Sequence, residues 1–198
     1  MPTEIHNTHQ QWIDQETKEM FFAQFLNQTE FLILKPGVGT TIKHFNGVYM
    51  NSLKEPDFLL RFDSQPLPSL TIESGWTESL PRLHADMRLW LVGGAPEVQV
   101  VIVLRWSKIA GTPTQKAKGI FEVWQRDAAN LPFIRQQGTI FPAPTAGPPE
   151  TIPVTRADLF GPAHVQTGKN GGDLWNMRVD ILRFWARLAI QNMGLVPA

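Results

Sequence analysis

The sequence contains no cysteine, which excludes disulfides, thiolate nucleophiles and cysteine-based zinc sites. It has no excess of either charge: 18 Lys plus Arg stand against 18 Asp plus Glu. A strongly basic chain would be drawn to nucleic acid or acidic membranes by counterion release, and that general attraction is missing. Charged residues make up 18%, below the usual quarter or so. The longest mainly apolar stretch, Val98 to Leu104, is far too short to span a bilayer. The opening segment MPTEIHNTHQQW has neither the basic nor the apolar region of a signal peptide. The expectation is an intracellular protein, cytoplasmic or nuclear, not secreted and not membrane-bound. What is present suffices for a core: 42% of the 198 residues are hydrophobic and seven are Trp. That length suits a single domain.

Residues 1–13 read as a flexible polar start. Asp14 to Gln28 has an apolar face of Met20, Phe21, Ala23, Phe25 and Leu26, with Asp14 as its cap. Phe31 to Leu34, stopped by Lys35-Pro36-Gly37, reads as a buried strand. Strands follow at Asp57 to Asp63 and Ser69 to Glu73. Ser79 to Gly93 repeats Leu80, Leu83, Met87, Trp90 and Leu91 at helical spacing. Val98 to Trp106 is rich in β-branched residues and predicts a central strand buried on both faces. Gly119 to Gln125 predicts its antiparallel neighbour, and Gly138 to Phe141 a further strand. Residues 142–153 (PAPTAGPPETIP) form a Pro-rich loop. Thr155 to Asp158 can cap a short helical turn. Leu174 to Val179 predicts a last strand, and Asp180 to Met193 an amphipathic helix capped by Asp180. The fold class is therefore α/β (α+β): one domain, with a central mixed β-sheet flanked by helices.

Most catalytic schemes lack their motif. There is no Gly-x-Ser-x-Gly elbow, no phosphate-binding Gly-rich loop, no Gly-x-Gly-x-x-Gly and no His-Glu-x-x-His. His6 and His9 could ligate a metal, but a polar tail with two His is more often solvated. Trp76, Trp90, Trp106 and Trp124 could stack on bases, yet such residues usually fill a core. Arg183 and Arg187 suit a solvated helix face. One constellation remains. Asp57 opens one strand and Glu73 closes the next, so antiparallel pairing brings both carboxylates to one edge of the sheet. Hard cations such as Mg²⁺ bind such oxygens, and a bound Mg²⁺ activates water for attack on a phosphodiester. The plain alternative is that Asp57 only starts a strand and Glu73 only faces solvent at a turn.

Pro56-Asp57, Glu73, the turn Ser74-Gly75-Trp76-Thr77-Glu78-Ser79, the helix with Leu83, Asp86, Trp90 and Leu91, and VVIVLRW together resemble small uncharacterised fungal proteins. The core of those proteins is similar to the PD-(D/E)XK, or restriction-endonuclease-like, nuclease superfamily. The resemblance runs from about Phe31 to Trp124. It implies a metal-dependent endonuclease core in which Asp57 and Glu73 hold Mg²⁺. The superfamily's Lys belongs two residues after the second acid, where Gly75 stands. In related bacterial proteins that Lys has moved into the following helix, at a position matching Asp86. Arg82, Arg88, Arg105 and Lys108 are the nearby basic substitutes, and Arg82, Arg105 and Lys108 are the ones expected to offset phosphate charge. Glu16, Glu19 and Glu30 are candidate third ligands from the first helix. Nucleic acid is the implied partner, and a sheet edge allows a homodimer. A non-catalytic interaction or regulatory module of the same fold, and a small-ligand binding domain, are the alternatives.

Overall fold

A computed structural model describes residues 4–63, 65–76, 78–109 and 115–198. A 3-10 turn over Glu4–Asn7 runs directly into α1 (Thr8–Phe22). Over its described residues, the start of the chain is thus ordered rather than the expected flexible tail. Ile5, Thr8, His9, Trp12 and Ile13 are buried along it. They recur at helical spacing, a stripe disguised by the polar residues between them. Asp14 lies inside α1 and pairs with Lys18 at 2.6 Å instead of capping. The strand expected over Phe31 to Leu34 is instead mostly a short helix, α2 (Gln28–Ile33). Asn27 and Glu30 start that helix with a reciprocal capping box, which overrides the apolar run. β1 (Leu34–Gly37) begins only where α2 ends.

The central sheet has the order β1-β2-β3-β4-β5-β6. Its further members are β2 (Phe58–Phe62), β3 (Leu70–Trp76), β4 (Val100–Ile109), β5 (Lys116–Arg126) and β6 (Pro132–Phe141). The first three strands are antiparallel, β3 and β4 are parallel, and β5 and β6 return antiparallel. The parallel pair needs a crossover, which α3 (Leu80–Arg88) and a π-helical turn over Leu89–Gly93 supply. β6 is longer than expected.

β4 is buried on both faces, as its composition predicts. Ile102, Leu104 and Trp106 face a cluster with Trp12, Met20, Leu182 and Ile190. Val101 and Val103 face Leu83, Met87, Trp90 and Phe45. The Pro-rich segment gives way at Thr151 to β7 (Thr151–Thr155), which pairs with β8 (Leu174–Arg178) in a separate two-stranded sheet. Thr155 and Asp158 form the expected capping box of α4 (Arg156–Phe160).

The last long helix, α5 (Val179–Asn192), has Arg178 rather than Asp180 at its N-cap position, with no side-chain cap hydrogen bond. Its Arg183 is buried, not solvated: it binds Glu150 at 2.5 Å and Asp180 at 2.8 Å, while Arg187 is exposed as expected. α1 closes onto this end of the chain. The Trp12 indole donates to the Arg178 carbonyl at 3.0 Å, and the Asn192 amide donates to Glu4 at 2.7 Å. A two-residue β9 (Val196–Pro197) joins β5. None of the described helices is long and apolar enough to cross a membrane.

Candidate functional site

Asp57 directly precedes β2, and Glu73 lies within β3. Phe58 faces Ile72 across the antiparallel pair, so Asp57 and Glu73 sit beside each other at one end of it. Each acid, however, is already engaged. The Asp57 Oδ2 accepts the Ser74 backbone N–H at 2.7 Å, and its Oδ1 lies 3.3 Å from His6 Nε2. Burial alone would raise the Asp57 pKa, but the bonds from His6 and Ser74 outweigh it and hold the carboxyl below its ordinary value. The same hydrogen bond, to Asp57, raises the His6 pKa. His9 donates Nε2–H to the Asp57 carbonyl at 3.2 Å. Its Nδ1 is buried with no close hydrogen-bond partner among the described residues, and burial pushes its pKa down to about 4.

Glu73 is only 3% exposed. Its Oε1 accepts the Trp90 indole N–H at 2.6 Å, and its Oε2 lies 3.2 Å from Lys54 Nζ. Lys54 also reaches Asp86 at 2.8 Å. Burial pushes the Glu73 pKa up to about 8, with Asp57 and Asp86 adding to the effect and Lys54 and Trp90 opposing it. Burial would lower the Lys54 pKa, but its two acidic partners raise it on balance, so it stays charged. Lys54 arrives from the long loop between β1 and β2, where its backbone forms a two-way bridge with Ile42.

The resemblance implies a cation at position 75 or 86; the cation that stands beside Glu73 is Lys54, from elsewhere in the chain. Asp86 reverses the expected charge, yet it holds Lys54 against Glu73. Gly75 has its own reason. A Cβ there would come within 2.7 Å of the Glu78 Cβ and 3.2 Å of Leu83, so a lysine at that position does not fit the turn into α3. Sequence reasoning gives Lys54 no role. The available signal was that a carboxylate inside an apolar strand needs a counter-charge, and Lys54 is three residues before Asp57.

Of the expected basic residues, Arg105 alone stands next to this cluster. It is adjacent to Gly75 in the parallel register, half-buried, with its Nε lacking a partner among the described residues. Arg82 is exposed and paired with Glu78 at 2.8 Å. Lys108 reaches Gln115 at 3.3 Å, toward the far end of β4. Glu16 accepts from Trp175 and the Arg178 N–H, Glu19 pairs with Arg178, and Glu30 with Arg156. A further buried acid has no role in the sequence reading: Glu122 lies across Val103 from Glu73 and binds His84 at 2.7 Å and Trp124 at 2.8 Å.

All four carboxylate oxygens of Asp57 and Glu73 thus have a proton donor. Mg²⁺ demands near-octahedral oxygen ligands at about 2.1 Å, so it would have to displace Lys54 and His6. Among the described residues, no group of three or more His, Asp or Glu side chains is arranged to hold a metal ion. The residues present do not fit Mg²⁺ in this arrangement. Compared with known proteins, the chain matches no family model, no curated protein and no solved structure.

Proposed function

We propose that the chain is a restriction-endonuclease-like domain whose acid pair has become an internal ion-pair and hydrogen-bond network, acting as an interaction or regulatory module rather than a hydrolase. The observation that carries this reading is the full engagement of Asp57 and Glu73 by Ser74, His6, Trp90 and Lys54. The nuclease-like core is supported by the run of helices α1 and α2, three antiparallel strands, helix and parallel strand from α1 to β4. An interaction role is supported by the loop that carries Lys54, where Val48, Met50 and Leu53 stand 91%, 68% and 65% exposed.

The test is incubation of the protein with plasmid, single-stranded DNA or RNA and Mg²⁺ or Mn²⁺, alongside titration calorimetry with each metal. No cleavage and no heat of metal binding are expected. Metal-dependent cleavage that disappears in both Asp57→Asn and Glu73→Gln would overturn the proposal.

A second reading keeps the chemistry. It is favoured by Lys54, a cation beside Glu73, with Arg105 two register positions away. In that case Asp57 and Glu73 would hold Mg²⁺, Lys54 and Arg105 would offset phosphate charge, and the substrate would be nucleic acid. Cleavage would then also disappear in Lys54→Met.

A further inference from the structure

At the opposite end of the sheet, beyond the end of β2 and the starts of β3 and β4, lies a cavity of about 330 Å³. We infer that it binds a small planar aromatic molecule that presents hydrogen-bond donors, of the aromatic amine or amidine class. The volume lies at the lower end of the range for small-molecule sites. One wall is already a stack: the rings of Phe62 and His164 lie 4.5 Å apart and 6° from parallel. Phe160 meets Phe62 edge-on at 6.5 Å, and Leu67 adds to the apolar lining. A flat ring entering this space extends an aromatic stack that the protein has begun.

The polar groups on the rim select the ligand's edge. Arg126 is committed to the fold: its guanidinium donates to the carbonyls of Leu91 at 2.8 Å, Val98 at 2.6 Å and Pro96 at 3.1 Å. Gln99 spends its amide N–H groups on the carbonyls of Pro96 and Glu97, which leaves its Oε1 as an acceptor. Glu97 stands exposed at the rim of the cavity, where its charge acts on Arg126 but its carboxylate makes no hydrogen bond or close ion pair among the described residues. The groups left over are acceptors, one of them charged. They match a ligand whose apolar body stacks on Phe62 and His164 and whose N–H groups meet Glu97 and Gln99. This site is separate from Asp57 and Glu73 and does not depend on how those residues are read.

The experiment is calorimetric titration of the full chain with 2-aminobenzimidazole, and in parallel with its aromatic-anion counterpart benzimidazole-2-carboxylate. The aminated probe is expected to bind, at least tenfold more weakly in Glu97→Gln. Ala163→Trp, which fills the cavity, is expected to abolish binding. Glu97 is on the surface, so its variant keeps the fold and keeps the test valid if the Trp variant does not. Absence of binding by the aminated probe, preference for the carboxylate, or affinity unchanged in Glu97→Gln would each overturn the inference.

Discussion

At neutral pH, Glu73 shares its buried space with Lys54, Asp86 and Trp90 and titrates at about 8 rather than 4.5. The folded chain holds that proton more tightly than the unfolded chain. The resulting stabilisation is complete below about pH 4.5 and is lost as pH rises through 8. Glu73→Gln keeps an acceptor for Trp90 but has no proton to lose. Its melting temperature is expected to match the wild type near pH 5 and to exceed it at pH 9, by roughly 2–4 °C for each kcal/mol recovered. Thermal melts across that range check this, and a parallel fall of both proteins would refute it. Lys54→Met removes the counter-charge. It should destabilise by about 2–4 kcal/mol at pH 9 and far less at pH 5, where Glu73 is neutral, as measured by urea unfolding. His9 acts in the other direction. Its folded pKa of about 4 lies below the ordinary 6.5, so the unfolded chain takes up a proton first as pH falls. Stability is lost through that window, and His9→Gln should flatten the acid limb of the melting curve.

Turns and helix starts decide the elements, and here legibility was uneven. β2, β3, α3 and β4 were readable because their apolar residues follow one period without competition. The start of α1 was not, because Ile5, Trp12 and Ile13 are separated by His, Asn, Thr and Gln that mask the stripe. α2 was misread because a six-residue helix offers too little period to outweigh an apolar run. The Asp57–Glu73 pair was legible from strand order alone, since antiparallel pairing requires the juxtaposition. Lys54 was not, because its place is set by a long loop whose path only the tertiary bridge to Ile42 defines. Two outcomes test these elements. Trp12→Ala should cost about 3–5 kcal/mol in denaturant unfolding, whereas a loose tail would make it neutral. Gly75→Lys, which introduces the spacing that the resemblance implies, should lower stability by about 1–3 kcal/mol because its Cβ meets Glu78 and Leu83. A neutral result would show that the turn can open.

For the whole molecule, the equality of 18 basic and 18 acidic residues leaves no long-range repulsion near pH 7. Precipitation by polyethylene glycol should show minimum solubility near neutrality and improvement on either side. A flat profile would show that local patches, not net charge, govern association. The closure of α1 onto α5 and β8 has a further consequence, in the order of synthesis. Trp12 leaves the ribosome long before Arg178, its hydrogen-bond partner 166 positions later. At ordinary elongation rates the delay is roughly 10–30 s. Throughout that interval the buried stripe of the first helix has the central sheet to pack on but lacks the final helix that completes its cover. The stripe therefore stays partly uncovered, and its native packing is complete only once the final helix has been made.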